Sequence, residues 1–441
     1  MNISKLELRL LSFFNQFCMP LFSFGVNHEV HQVWHKQVPM LFLESPLIRS
    51  SIYSFAALNL FPLCDLSEFK HETISMEELG HRSLVLDFGL YNMDSKLGQN
   101  SLYITTTKYF LDTVSKANLS IPEEGNAQKK GFGLSQLKAA EMSISSILIF
   151  SFLGIHPHKL MPLVIFDRSD TDYISLTGCM HATFTEIAPT LLNSPFRGLF
   201  SLKEESNTPP TSLKESKIPW IMRLRDELLE YYILDIDFDK TASIVDLDEP
   251  FELSDLLSKN STPYSPKNPF VPVDSPISPY EGPDASLYKR SPSPIFCLES
   301  SSAHEYETLH HSIELFQTLA SRAVHFNYPV PMFRWILLLN RDFRDLIYKE
   351  NFFSLRILYV YSCIAFLSGF QLYNDTNMWI DFIHSFHEYN LNKFGGWKYS
   401  MDEAFFVITA EKKHRFKDLN YRQMGDLDPE KLVEWFKKQG I

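Results

Sequence analysis

The sequence predicts an all-α protein, a multi-helix bundle interrupted by disordered segments that are rich in serine and proline. Glycine is scarce at 16 of 441 residues, strand-like alternation is rare, and long segments repeat apolar residues three and four positions apart. Hydrophobic residues make up 45% of the chain and aromatic residues 14%, which is more than a disordered chain carries. We therefore expect most of the protein to fold around buried apolar surface.

Residues 1–200 are predicted to form the N-terminal half of this bundle. Apolar residues at helical spacing indicate a series of helices there, with proline as the expected end of the second and the third. Pro39 follows the second apolar face and Pro62 follows the third. The predicted helices cover 6–17, 30–38, 47–60, 105–117, 134–153 and 184–192.

The middle of the chain is predicted to contain one helix between flexible segments. Residues 201–217 are polar with two adjacent prolines, which is typical of a flexible linker. The segment 218–257 combines a helix over 219–234 with an acidic stretch over 235–257. That stretch mixes acidic and apolar residues as an activation segment does, and an acidic loop or a surface helix explains it as well.

A second linker is predicted over 258–303. Nine of the 25 prolines of the chain fall within 261–294 together with many serines, a composition that cannot build an apolar core. Its Ser-Pro and Thr-Pro pairs suit proline-directed kinases, and each phosphate would add about −1.5 to −2 charges. The pairs also arise by composition alone.

Residues 304–441 are predicted to form the C-terminal half of the bundle. Four helices follow from the apolar spacing, and a fifth closes the chain. For this last helix Asp428 is the expected cap, Pro429 the first residue and Gly440 the end, and its apolar stripe is expected to pack on the bundle. The first four predicted helices cover 306–324, 331–339, 351–369 and 377–392.

Charge and composition exclude a general affinity for nucleic acids. The chain carries 41 basic and 53 acidic residues, a net charge of −12, which does not attract phosphates or anionic lipids. The only basic clusters are diluted by acidic neighbours, so we expect no direct DNA binding by this chain alone. These clusters are Arg341, Arg344, Lys349 and Arg356 in one group and residues 412–417 in the other. For residues 412–417 we favour a solvated turn between helices, with a nuclear-localisation or nucleic-acid role as the alternative.

The sequence is interpreted as that of an intracellular protein without a membrane span. The five cysteines lie at least 46 residues apart, which excludes the spacing of a zinc site and indicates reduced thiols. The apolar runs 147–155 and 357–370 are shorter than the roughly 18–20 residues that cross a bilayer. Polar residues interrupt the apolar start of the chain, which argues against a signal peptide.

No catalytic machinery, cofactor or metal site is predicted, so we expect the protein not to be an enzyme. The motifs of phosphate-binding loops, dinucleotide folds and serine hydrolases do not occur. Three groups of histidines invite a metal hypothesis, but solvated histidines are the commoner outcome at such spacings. They are His28, His31 and His35; His384 and His387 beside Glu388; and His156 and His158.

Several apolar signatures resemble the C-terminal regulatory domain of fungal zinc-cluster transcription factors, in the subgroup typified by sterol-uptake regulators. The opening run LELRLLSFF at 6–14, SFAALNL at 54–60 and Arg197-Gly198 follow the order of that domain. FSLRILYVY at 353–361 is the strongest match, followed by Trp379 where the family often has paired tryptophans. The resemblance spans about residues 5–392. This sequence lacks the family's six-cysteine cluster and the glycine that commonly follows the tryptophans.

The resemblance implies a nuclear regulator of RNA polymerase II transcription whose helical bundle holds a sterol or another apolar ligand. Aromatic density near the strongest match is typical of a lipid pocket, and the same residues serve equally well as ordinary core. The candidate ligand-binding residues are Tyr359, Tyr361, Phe366, Trp379 and Phe382.

The expected partners are transcription factors or co-regulators, and the chain is expected to reach the nucleus, shuttling with the cytoplasm. Two alternatives stay open. The protein is either an interaction module that dimerises with a zinc-cluster paralogue without binding DNA itself, or a lipid-binding protein without a transcriptional role. A helical enzyme acting on isoprenoids is the least favoured hypothesis, because the acidic run at 235–239 is too isolated to supply the metal-binding carboxylates that such chemistry needs.

Overall fold

The structure is a computed structural model, and it confirms the predicted all-α class. Helices make up 85% of the described residues, and none of those residues forms a strand. The structure describes residues 4–23, 28–64, 102–120, 135–156, 160–200, 217–234, 300–327, 330–367, 377–411 and 424–439.

The N-terminal bundle contains two helices that pass through π-helical turns, followed by a regular third helix. Each π turn is followed, after one residue, by a proline, Pro20 or Pro39. In chain order the elements are Lys5–Phe13 (α1), the π turn Phe14–Cys18, Met19–Ser23 (α2), His28–Gln32 (α3), the π turn Val33–Gln37, Val38–Glu44 (α4) and Pro46–Cys64 (α5).

The prediction that Pro39 and Pro62 end helices is wrong. The N–H of Val38 donates to the carbonyl of Val33, five residues back, and the helix then continues through Pro39 to Glu44. Proline has no N–H to donate and its ring crowds the preceding turn, so a widened turn directly before it lets the helix continue. Pro62 lies within the last turn of α5.

Three longer helices of the N-terminal half lie within the described ranges: Leu102–Ser120 (α6), Gln136–Ile155 (α7) and Tyr173–Leu192 (α8). The helix α5 packs against α6 and α7, and α7 packs against α8. The start of α8 precedes the predicted start at 184, because the carboxylate of Asp172 caps it by accepting the N–H of Ser175 at 2.7 Å.

After residue 200, the part of the chain that the structure describes contains every helix predicted there and two more. The helix α9 matches the predicted bounds, whereas α10 begins inside the predicted linker 258–303. The short, partly charged helices α12 and α15 were not predicted. In chain order the helices are Pro219–Leu234 (α9), Ser300–Phe326 (α10), Val330–Leu338 (α11), Arg341–Tyr348 (α12), Phe352–Leu367 (α13), Met378–Phe394 (α14), Ser400–Phe406 (α15), followed by the π turn Val407–Glu411, and Pro429–Gln439 (α16).

Several predicted features lie outside the described residues. These are the linker 201–217 except Lys217, the acidic stretch 235–257, the linker 258–303 up to residue 299, the basic run 412–417, His158 and Gly440.

The helix α13 lies at the centre of the core. All of its residues except Phe366 are buried, and α14 packs along it, with α12, α15 and α10 as further neighbours. A helix that is apolar on all sides is stable only when other helices surround it. The segment 353–361, the strongest match to the regulatory domain, therefore forms the innermost part of this fold.

Length and composition single out one described helix, α7, as able to cross a bilayer. The apolar run 147–155, which alone is too short to cross a bilayer, forms the C-terminal part of this helix. The helices α12 and α13 pass the same test only when they are taken together, and they are bent by 103° relative to each other. Most of α7 is buried inside the protein, as the core helix of a globular protein would be.

Close backbone packing joins the start of the chain to the segment after α8. The short 3-10 helix Arg197–Leu199 lies against α3, and Arg197 forms an ion pair with Glu29 at 2.7 Å. A Cβ atom on Gly198 would lie 2.4 Å from the carbonyl oxygen of Glu29. Only glycine lets the two backbones approach this closely.

The terminal helix α16 is capped and docked as predicted. The carboxylate of Asp428 accepts the N–H of Lys431 at 3.1 Å, Pro429 is the first helical residue, and Leu432 and Val433 pack against the core. An apolar stripe on a short helix gains most of its stability from such packing.

Candidate functional site

Five charged side chains join four helices of the C-terminal half. Arg223 and Glu227 lie on α9, Arg356 on α13, Asp402 on α15 and Glu430 on α16. We call these five residues the ion network. Two cations alternate with three anions, so neighbouring helices are held together by opposite charges.

Arg356 is the centre of the ion network and is fully buried. Its Nε donates to the carboxylate of Asp402 at 2.6 Å, and a terminal guanidinium nitrogen donates to Glu227. The guanidinium carbon lies 3.6 Å from the ring centroid of Tyr399. Burial alone would lower the pKa of Arg356, but the attraction of Asp402 and Glu227 outweighs burial and raises it. The guanidinium is therefore charged inside the protein.

Arg223 extends the ion network to the surface. It donates to Glu227 at 2.9 Å, to Glu430 at 2.8 Å and to the hydroxyl of Ser400 at 2.9 Å. The hydrogen bond from Arg223 lowers the pKa of Glu430. Since the side chains of Arg223 and Glu430 are more than a third exposed, this outer pair contributes only modestly to stability, on the order of 0–1 kcal/mol.

The ion network places α15 and α16 against the central helix. A buried carboxylate and a buried guanidinium keep their helices in position, because separating them would leave each charge without a partner inside the protein. The hydroxyl of Tyr359, one of the candidate ligand-binding residues, donates to the backbone carbonyl of Asp402 at 2.7 Å. The network is therefore a positioning device for the C-terminal helices.

The structure brings Tyr361 and Trp379 together. Both side chains are buried, and their ring centroids lie 5.7 Å apart. Trp335 lies 4.5 Å from Tyr361, and Tyr173 lies 5.7 Å from Trp379. These rings form one continuous aromatic cluster between α8, α11, α13 and α14, where edge and tilted contacts stabilise the packing.

The remaining candidate ligand-binding residues are not part of that cluster. Tyr359 packs instead against Phe386, with centroids 4.6 Å apart, and against Trp397 at 5.6 Å. Phe382 is buried on α14, and Phe366 is partly buried at the edge of the core. The apolar ligand site over these five residues stays a prediction.

Three buried tryptophans bind backbone carbonyls of other segments through their indole N–H. Trp379 donates to Gly154 at 3.1 Å, Trp335 donates to Ser312 at 3.0 Å, and Trp220 donates to Met424 at 3.0 Å. A buried indole N–H needs an acceptor, so each bond fixes one place where two segments meet. The bond from Trp379 joins the two halves of the bundle.

Among the described residues, the histidines that invited a metal hypothesis are not gathered with other ligand-type side chains into a group that could hold a metal ion. The rings of His31 and His35 lie 3.9 Å apart, while His28 contacts Gln32 at 2.9 Å. Burial, together with the charge of His31, lowers the pKa of His35. Within the ranges that the structure describes, no group of three or more His, Cys, Asp or Glu side chains is placed to hold a metal ion.

Three of the other histidines named above, His156, His384 and His387, contact aromatic rings. His156 is buried beside Phe152, with centroids 5.2 Å apart. His387 stacks on Phe406 at 4.2 Å, and His384 meets the edge of the same ring at 5.6 Å.

Comparison with known proteins finds no matching family model, no matching curated protein and no matching solved structure. The likeness to the fungal regulatory domain therefore depends on the sequence signatures alone.

Sequence reasoning missed the ion network and misplaced Arg356. We counted Arg356 in a basic cluster diluted by acidic neighbours, whereas it is fully buried between Glu227 and Asp402. A signal was present in the sequence, because Arg356 is the one charged residue of the apolar stretch 352–367, and a charge in such a helix needs a buried partner. Its partners lie 129 and 46 residues away, a distance at which local patterns carry no information.

Proposed function

We propose that this chain is a non-catalytic regulatory protein of transcription control in the nucleus, with a helical bundle that senses an apolar ligand or binds a partner. The proposal rests on the resemblance to the regulatory domain of fungal zinc-cluster factors. It is supported most by one observation, the position of the segment 353–361 in the central helix α13, where every residue of that segment is buried.

The other signatures also lie where a regulatory bundle would need them. The run 6–14 covers α1 and the start of its π turn, and 54–60 lies in the buried part of α5. Gly198 allows the tight contact with α3. Residues that form a family's core contacts are those that its sequence pattern keeps.

Ligand sensing would operate through a shift between two packings of the bundle. Tyr361 and Trp379 are in ring contact, so a sterol enters between α13 and α14 only when these helices separate. A ligand changes the population of the open packing by no more than its difference in affinity for the two packings. The surface that the helices present to a partner would change with it.

A tethering experiment tests the transcriptional role. The full chain is fused to an unrelated DNA-binding domain in a fungal host, and transcription of a reporter with the matching site is measured. We expect a change in reporter transcription relative to the DNA-binding domain alone, and its loss in Arg356→Met but not in Arg341→Met. Reporter output equal to that of the DNA-binding domain alone, from a folded and expressed fusion, would overturn the proposal.

A second experiment separates ligand sensing from partner binding. The purified protein is heated with and without a sterol in cyclodextrin, and the Tm is measured. A ligand that binds only the folded protein adds about 2.7 kcal/mol to the free energy of unfolding at 100 times its Kd. The Tm therefore rises. An unchanged Tm, with no lipid extracted from the purified protein, removes the sensing role and leaves the interaction role.

A further inference from the structure

Four aromatic rings surround the ammonium group of Lys398. The distances from Nζ to the ring centroids are 4.8 Å for Tyr231, 5.7 Å for Phe352, 5.5 Å for Phe394 and 5.9 Å for Tyr399. Each distance is within the roughly 6 Å over which a ring attracts a cation. We call these four rings the ammonium cage.

The ammonium cage is a connected structure built on a buried base. The Phe352 ring lies 5.9 Å from Tyr231, 5.2 Å from Phe394 and 6.3 Å from Tyr399. Phe352 is buried, whereas Phe394 is 39% exposed. The cage therefore has a fixed floor on α13 and an opening to solvent beside the end of α14.

The segment that carries Lys398 stays in place without the lysine side chain. Gly395, with φ of +70°, ends α14 in the left-handed conformation, and Trp397 then packs against Tyr359 at 5.6 Å. Tyr399 contacts the buried Arg356. Since the residues on both sides of Lys398 are held by the core, its exposed side chain can leave the cage while the backbone remains.

We infer that the ammonium cage is a binding site for a methylated ammonium group, and specifically for a methylated lysine side chain of another polypeptide. The cage already accommodates a lysine side chain of this chain, so a lysine side chain from outside fits the same space. Methyl groups remove N–H donors and weaken hydration while the charge is kept, and aromatic faces then bind the group more strongly. Lys398 acts as an internal competitor.

This site is independent of the transcriptional role proposed above. Its rings, distances and opening do not depend on the resemblance, and its occupant differs from the apolar ligand expected near Tyr361. Failure of the tethering experiment would leave the cage untouched, and failure of the cage experiment would leave the tethering result untouched.

The first test uses tetramethylammonium chloride as the probe and proton NMR of its methyl signal as the readout. Lys398→Ala empties the cage, so we expect an upfield ring-current shift with a Kd about tenfold lower than in the wild type, equivalent to about 1.4 kcal/mol. Lys393→Ala removes the same charge nearby and is expected to change the Kd by less than about twofold. The Nζ atom of Lys393 lies 5.7 Å from the centroid of the Phe394 ring. Its substitution leaves the side chain of Lys398 in the cage.

Removal of the rings shows whether the cage causes the shift. In the Lys398→Ala background, Tyr231→Leu and Phe394→Leu each remove one ring on the open side and keep an apolar side chain, so both are expected to weaken binding at least threefold. Circular dichroism verifies that each variant is folded. A folded Lys398→Ala protein that gives no upfield shift, or a shift that persists unchanged in both ring variants, overturns the proposal.

The second test identifies the source of the methylated ammonium group. Peptides with an unmodified or a trimethylated lysine and vesicles of phosphatidylcholine are compared for binding to the Lys398→Ala protein. Binding of the trimethylated peptide at least tenfold tighter than the unmodified peptide supports the assignment. If the vesicles bind and the two peptides bind equally, the assignment to methylated lysine is wrong. The occupant of the cage is then a choline headgroup.

Discussion

At the scale of single residues, Arg356 decides the stability of the C-terminal half. Its guanidinium is fully buried between two carboxylates. Arg356→Met fills the volume but leaves Asp402 and Glu227 as buried charges without their cation, so we expect a loss of about 3–5 kcal/mol in the free energy of unfolding. Urea denaturation measures this loss.

Two further variants show whether unpaired charge is the cause. Arg341→Met removes an arginine whose side chain is 87% exposed and is expected to change stability by less than about 0.5 kcal/mol. Arg356→Met combined with Asp402→Asn and Glu227→Gln is expected to lose less than Arg356→Met alone. A loss below about 1 kcal/mol in Arg356→Met would show that the ion network contributes little.

Asp172 is expected to make stability depend on pH. It is buried and accepts the Tyr348 hydroxyl at 2.8 Å, and burial outweighs its hydrogen bonds and raises its pKa above the ordinary 3.8. The folded state therefore holds the proton more tightly than the unfolded state. The stabilising contribution is fully present below pH 3.8 and is lost as the pH rises through the folded pKa.

The variant Asp172→Asn isolates this effect because an amide does not titrate. We expect the stability of the wild type relative to Asp172→Asn to decrease as the pH rises from about 3 to about 7, as measured by urea denaturation at each pH. Asparagine also caps helices well, so the change of capping group adds only a small constant offset. A relative stability that increases with pH over this interval would contradict the raised pKa.

At the scale of elements, one glycine controls how the 3-10 helix Arg197–Leu199 meets α3. Gly198→Ala places a Cβ against the backbone of Glu29, which cannot move as a side chain can, so we expect a loss of about 1–3 kcal/mol in the free energy of unfolding. Gly396→Ala is the matched control, since a Cβ there meets nothing within 4 Å. Equal stability of the two variants in thermal denaturation would show that the contact is loose.

Most elements could be predicted from the sequence, and the exceptions have physical causes. The spacing of apolar residues predicted α9 at both ends and α13 to within two residues of each end. Pro39 misled the prediction, because a π turn removes the conflict that proline creates in a regular helix. The helix α12 is short and half charged, and its three buried residues, Phe343, Leu346 and Ile347, have helical spacing but form too brief a pattern for prediction.

At the scale of the whole molecule, the two halves of the bundle share one core. Trp379 binds Gly154, Tyr348 binds Asp172, and Arg334 donates to the carbonyl of Leu199 at 3.1 Å. None of these contacts could be predicted from the sequence, since each joins segments more than 130 residues apart. Local patterns determine helices, and the pairing of helices depends on which faces meet after folding.

The shared core predicts that the halves fold together. Fragments 1–200 and 218–441, expressed in one cell, are expected to purify as a complex through a tag on either fragment, whereas each alone aggregates or unfolds. Trp379→Ala in the second fragment is expected to reduce recovery strongly, since loss of a buried tryptophan costs about 3–5 kcal/mol. Leu391→Ala, at a side chain that is 45% exposed, is expected to leave recovery unchanged. Stable separate fragments would contradict a shared core.

The three indole bonds give the protein optical reporters of its own. Trp220, Trp335 and Trp379 each lie in dry surroundings at a different junction, so their fluorescence is expected at short wavelengths. When water reaches one junction, the emission of its tryptophan moves to the red. Three variants, each with one of these tryptophans replaced by phenylalanine, would therefore assign each shift in emission wavelength to one junction. The opening of the bundle can then be followed without an attached dye.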